Sequence, residues 1–117
     1  MKSATYFLIL VIAGISFTSL NSCKKCSGED PRARIINNGT NKASVQIKTS
    51  GGNTVNINNV DKGTTSALSS YAPGLVTFTV AIENINYEIK VQMDKCYDYD
   101  IKIDGSNNIS STSTNRN

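Results

Sequence analysis

The chain of 117 residues contains no histidine and no tryptophan. Without histidine, neither a Ser-His nor a Cys-His nucleophile system can be assembled, and a zinc site loses its nitrogen ligand. Charge of one sign is nowhere gathered. Lys and Arg number 12 against 9 Asp and Glu, and the closest basic groupings are Lys24-Lys25 and Arg32 with Arg34. A nucleic-acid reader gathers such charge into a stripe with aromatics interleaved, so no nucleic-acid partner is expected. The long apolar run, residues 7–17, is broken by Gly14 and Ser16 and is too short to cross a bilayer as a stable helix. Paired carboxylates capable of glycoside chemistry need a cleft, which nothing in the pattern predicts. The expectation is a protein without catalysis, metal or cofactor.

Asn, Ser and Thr are plentiful, and the apolar residues alternate with polar ones, a mix that favours strands and turns. The clearest pattern spans residues 75–93. Val76, Phe78, Val80 and Ile82 alternate with Thr77, Thr79 and Ala81; Ile85, Tyr87, Ile89, Val91 and Met93 alternate with Asn86, Glu88, Lys90 and Gln92. Each half has one apolar face. Glu83 and Asn84 remain as a two-residue turn, whose flanking residues Ile82 and Ile85 pair directly and share a face. Such a hairpin needs partners to cover its apolar side.

The rest of the chain supplies them. A strand is predicted over 33–37, centred on Ile35 and Ile36, followed by the Asn38-Gly39 turn. Ala43, Val45 and Ile47 mark the next strand, residues 50–53 a loop, and Val55 with Ile57 a third strand. Val60 falls out of parity with Ile57; either a bulge at Asn58-Asn59 restores it or the strand ends there. In residues 64–71, Ala67, Leu68 and Tyr71 would suit one helical turn, but the Thr and Ser content and the place between turns favour a short edge strand. After Met93, the set Tyr97, Tyr99, Ile101 and Ile103 keeps Asp98 and Asp100 on the opposite face. That parity requires a three-residue loop at 94–96 or a crossing to a second sheet. A last edge strand is expected at 109–112. About seven short strands with regular turns predict a single all-β domain, an antiparallel β-sandwich. At that coarse level the chain resembles the immunoglobulin-like architecture, without its tryptophan and paired core cysteines.

The N-terminus carries an address. Lys2, the apolar run and small residues at its end have the organisation of a secretory signal peptide. Leu20-Asn21-Ser22-Cys23 then resembles the lipobox of bacterial lipoproteins. The resemblance implies cleavage before Cys23, lipid on its sulfur and usually a further acyl chain on its amino group; two or more chains make a stable anchor. With Lys24 rather than aspartate after the cysteine, the same resemblance implies an outer-membrane destination, with the leaflet open. The organisation expected is a signal peptide over 1–22, with its helix, a lipidated tether over 23–32, the sandwich over 33–113 and a frayed tail over 114–117.

Four further features bear on function. Cys26 and Cys96 remain after lipidation, and an oxidising compartment permits a disulfide between them; two free thiols are the alternative. Asp98, Asp100 and Asp104 lack the spacing of a calcium loop and read as a solvated strand face and a turn. Tyr87, Tyr97 and Tyr99 share the apolar parity and read as core, whereas Tyr71, beside Pro73-Gly74, is the tyrosine expected to be exposed for contact. Asn38 and Asn53 mark contact loops, at 38–41 and 50–53, with a third at 61–63. Together these features predict a lipid-anchored binding, adhesion or accessory module of the outer membrane, its partner an envelope protein or glycan. The alternative is a periplasmic inhibitor or immunity-type protein that blocks an enzyme with one loop.

Overall fold

The computed structural model describes residues 25–117. The signal-peptide and lipobox expectations, including Cys23, lie outside the described residues. Nine strands follow one another: β1 (Arg32–Asn37), β2 (Ala43–Lys48), β3 (Thr54–Val60), β4 (Thr64–Thr65), β5 (Ser69–Ser70), β6 (Gly74–Ile82), β7 (Ile85–Met93), β8 (Tyr97–Ile103) and β9 (Ile109–Asn115). They form two sheets. Sheet A has the order β4-β1-β8-β9, with β5 also on β1, and sheet B the order β3-β2-β6-β7. Every pairing is antiparallel except β1 with β8, which is parallel. Among the described residues there is no helix.

The hairpin forms in the register set by its alternation. Ile82 pairs with Ile85, Val80 with Tyr87, Phe78 with Ile89 and Val76 with Val91. Glu83 and Asn84 both have positive φ, 52° and 67°. That is the backbone of the mirror-image turn whose twist matches that of the flanking strands. Phe78, Val76, Val80 and Ile82 are fully buried, facing Ile35, Ile101, Ile103 and Tyr99 of sheet A in one core. The bulge is present as well: Val60 pairs with Ala43 and Ile57 with Val45, and Asn59 takes φ 59°. The extra residue on β3 returns Val60 to the core side.

Of the two connections expected at 94–96, the chain takes the crossing: β7 lies in sheet B and β8 in sheet A. Three other organisational expectations change. The edge segment over 64–71 is two fragments, since Ser66 takes over the pairing between them: its N–H donates to the Ile35 carbonyl (2.8 Å), and its Oγ accepts the Ile35 N–H (2.9 Å). The tail is not frayed. β9 pairs with β8 as far as Tyr97 and Asn115, and the Arg116 N–H donates to the Cys96 carbonyl at 2.8 Å. The sandwich also begins earlier than residue 33: Pro31 is buried and its carbonyl accepts the Tyr71 N–H.

Candidate functional site: the amide-rich face of sheet B

Strand parity that buries Val45, Ile47, Phe78 and Val80 turns their neighbours outward. Across sheet B the register aligns these neighbours into rows. Asn56 lies beside Gln46, Gln46 beside Thr79 and Thr79 beside Glu88; one row further, Ser44 lies beside Ala81 and Ala81 beside Asn86. The result is a face of amides and hydroxyls. The small side chains of Ser44 and Ala81 leave a hollow between taller neighbours. A cleft of about 500 Å³ opens there, lined by Asn41, Lys42, Ser44, Asn59, Ala81, Glu83, Asn84 and Asn86. A smaller depression of about 260 Å³ continues along the strands over Gln46, Asn56, Asn58 and Thr79.

The loops around the cleft are fixed by local chemistry. Asn37 is wholly buried at the end of β1. Its amide donates to the carbonyls of Asn41 and Val60, each at 2.9 Å, and its Oδ1 accepts the Gly39 N–H at 2.9 Å. One side chain thereby ties the 38–42 loop to the end of β3. Gly39 has no room for a side chain: a Cβ would stand 2.5 Å from Asn107 Oδ1 and 2.9 Å from Ile103 Cγ2. Asn107 Oδ1 accepts the Thr40 N–H (3.0 Å), and the Thr40 hydroxyl donates to Glu83 (2.9 Å). Asp104 accepts the N–H groups of Ser106 and Asn108, both at 2.9 Å. The Asn108 and Ser106 amides hold its carboxyl below the usual carboxylate range.

The opposite end of the sandwich is a covalent and ionic clasp. Cys26 and Cys96 are joined by a disulfide. The Cys96 N–H donates to the Glu29 carbonyl (2.9 Å), and the Cys26 N–H to Asn117 Oδ1 (3.1 Å). Arg116 donates to Glu29 Oε1 (3.0 Å) and to the Asp30 carbonyl (2.6 Å). Its Nε lies 3.2 Å from Asp98 Oδ1 as an ion pair, without hydrogen-bond alignment. Arg32 grips Asp98 with two bonds of 2.8 Å, and Arg34 reaches Asp100 at 2.8 Å. The hydrogen bond from Arg32 is the main reason the Asp98 carboxyl is held below its ordinary range, against the opposing effect of burial. All of these groups belong to sheet A or to the chain flanking its strands.

The predicted contact residues are not brought together. Asn38 is exposed at the cleft end, and Asn53 is exposed at the clasp end, because β2 separates their loops by its full length. Loop 61–63 joins the cleft end, where the Gly63 N–H reaches the Asn37 carbonyl. Tyr71 is not an exposed contact residue: it is buried, at 6% exposure. Its N–H donates to the Pro31 carbonyl (3.0 Å) beside the pairing of β5 with β1, and burial pushes its hydroxyl above the ordinary tyrosine range. Asp98 and Asp100 are committed to arginines, and among the described residues no group of three or more His, Cys, Asp or Glu could hold a metal ion. Ser44, Ala81 and Asn86 were legible as outward-facing from parity alone. Their alignment into one hollow required the inter-strand register. Searches against protein-family models, curated proteins and solved structures find no match to this chain.

Proposed function

We propose that the protein is a lipid-anchored binding module of the outer membrane that uses the amide-rich face of sheet B to hold a polar partner, an envelope glycan or protein. The observation that carries this reading is the placement of the cleft relative to the tether. Cys26 is fastened to Cys96 at the clasp end on the sheet A side, only Lys24 and Lys25 separate it from Cys23, and the cleft opens on the outer side of the other sheet. A lipid on Cys23 would hold the clasp end toward the membrane and leave the cleft, at the other end of the sandwich, turned away from it. Amides and hydroxyls both donate and accept, which suits hydroxyl-rich or backbone-rich ligands, and the face holds Lys42 and Glu83 at its rim for orientation.

Two measurements test this. Cys23→Ala should release the protein from membranes or leave its precursor unprocessed; a mutant that is cleaved at the same site and still fractionates with membranes removes the anchor. Photo-crosslinking from the cleft, with a photoreactive residue replacing Asn86 in the full-length protein in cells, should trap an envelope component that the same residue placed at Lys102, on the outer side of sheet A, does not trap. Equal trapping from both faces would overturn the cleft as the binding site. An inhibitor of a periplasmic enzyme would be recognised in the same experiment by the identity of the trapped protein.

A further inference from the structure

The four sheet edges are treated unequally. β3 is broken by the Asn58-Asn59 bulge, and β4 and β5 are fragments of two residues each. β9 is a run of Ser and Thr after Ile109. β7 is a regular nine-residue strand with no bulge and no proline. Bulges, interruptions and charged side chains are the usual means of keeping an edge from pairing with another chain. β7 has no bulge or interruption, and its two charges, Glu88 and Lys90, are of opposite sign.

Its backbone is open for pairing. Ile82 and Ile85 flank the two-residue turn and exchange hydrogen bonds, so residues 85, 87, 89, 91 and 93 spend their backbone groups on β6. Those of Asn86, Glu88, Lys90 and Gln92 point away from the sheet, and no partner takes them among the described residues. On the core side the same strand is incompletely covered: Ile85 is 55% exposed, and Tyr87 and Ile89 are half-buried at the rim of the core.

We infer that β7 is a self-association edge, pairing antiparallel with β7 of a second copy about a two-fold axis through Ile89. The sequence of the strand selects both the partner and the register. With Ile89 opposite Ile89 of the other copy, Glu88 stands opposite Lys90 and Lys90 opposite Glu88. Asn86 then faces Gln92, Tyr87 faces Val91 and Ile85 faces Met93. The outward-pointing amides of residues 86, 88, 90 and 92 meet each other in hydrogen-bonded pairs, as the geometry of an antiparallel ladder requires. Shifting the axis by one residue either way sets Glu88 against Glu88 or Lys90 against Lys90, and like charges directly opposite are destabilising. A slip that mixes odd with even positions sets apolar side chains on the polar face. The interface is self-complementary, as a two-fold interface must be. It fuses two copies of sheet B into one eight-stranded sheet and sets two amide faces side by side.

The test uses full-length protein in detergent, followed by sedimentation equilibrium. The parent should dimerise. Lys90→Glu and Glu88→Lys should each weaken the dimer by about tenfold, as two cross-strand pairs turn repulsive. The double variant E88K/K90E should restore it, because exchanging the two charges preserves the complementarity. In membranes, Ile89→Cys should cross-link to itself under mild oxidation, whereas Glu88→Cys and Lys90→Cys should not. A parent that stays monomeric at every concentration, a dimer indifferent to the single charge changes, an unrestored double variant, or self-cross-linking at 88 or 90 in place of 89 would each overturn the proposal.

Discussion

Sheet B is assembled mostly from neighbours in the chain, sheet A mostly from distant segments. β2 with β3 and β6 with β7 are sequential pairs joined by turns. In sheet A only β8 with β9 is sequential; its central pairing sets Arg32 beside Asp98, 66 residues away, in parallel. The layers are reinforced accordingly. Sheet B relies on apolar side chains in register. The long-range pairing of sheet A is supplemented by the disulfide across 70 residues and by arginine–carboxylate pairs that bridge the same two strands. Closing a long loop costs chain entropy that local turns do not, and a cross-link in the unfolded chain removes part of that cost. The difference teaches where the covalent and ionic reinforcement is needed.

The sharpest way to break the locally built layer is Phe78→Ala. It should cost about 3–5 kcal/mol, from lost transfer energy and the cavity left behind. Its neighbour Thr79 points to the amide face, and Thr79→Ala should cost from a few tenths to about 1 kcal/mol. Urea unfolding of both variants beside the parent reads the contrast, and equal losses would contradict the register of the hairpin. The corresponding break in the long-range layer is the pair Cys26→Ser with Cys96→Ser, or reduction of the parent. Either should lower stability by about 4 kcal/mol, from the larger loop entropy of the unfolded state. Native-state hydrogen exchange should then show β1 and β8 losing protection ahead of β6.

A smaller effect is expected at the joint between the layers. Asn37→Ala removes two donated bonds and one accepted bond from a buried site, and should cost about 1–3 kcal/mol because polar backbone groups are left without partners. An Asn37 variant as stable as the parent would show that water replaces the side chain. The smallest effect concerns acid. Asp98 titrates lower in the folded protein than in the unfolded chain. Its contribution to stability is therefore complete above the unfolded value of about 3.9 and is lost as pH falls through the lower folded value. Asp98→Asn should flatten the acid limb of stability measured by denaturant titration, while leaving its shape near neutrality unchanged; an unaltered acid limb would place the loss in other carboxylates.

Legibility in the sequence followed the same division. The alternation of Val76, Phe78, Val80 and Ile82, the two-residue turn at Glu83-Asn84, and the bulge before Val60 all express local constraints: period-two side-chain direction and turn geometry. So did the outward placement of Asp98 and Asp100, because burying unpaired carboxylates is costly. What those carboxylates bind was not legible, since Arg32 and Arg34 reach them only through the parallel pairing of β1 with β8. Tyr71 shows the limit from the other side. It lies in a segment without clean alternation, and its burial depends on Pro31 and on the way β5 meets β1. Asn37 shared the parity of Ala33 and Ile35, so its inward direction could be read, yet its role as a loop anchor depends on the carbonyls of Asn41 and Val60 arriving beside it.

By itself the sequence determined the all-β class, the central hairpin with its register, the faces that strands turn to the core, and the turn positions, because each depends on residues a few positions apart. Only the tertiary structure decided that β7 and β8 lie in different sheets, that β1 runs parallel to β8, that Cys26 and Arg116 meet at one end, and that Ser44, Ala81 and Asn86 line one hollow. Those outcomes depend on which strands become neighbours. That choice is made by closing the two sheets over a shared core, where many long-range contacts form together and no single stretch of chain carries the information.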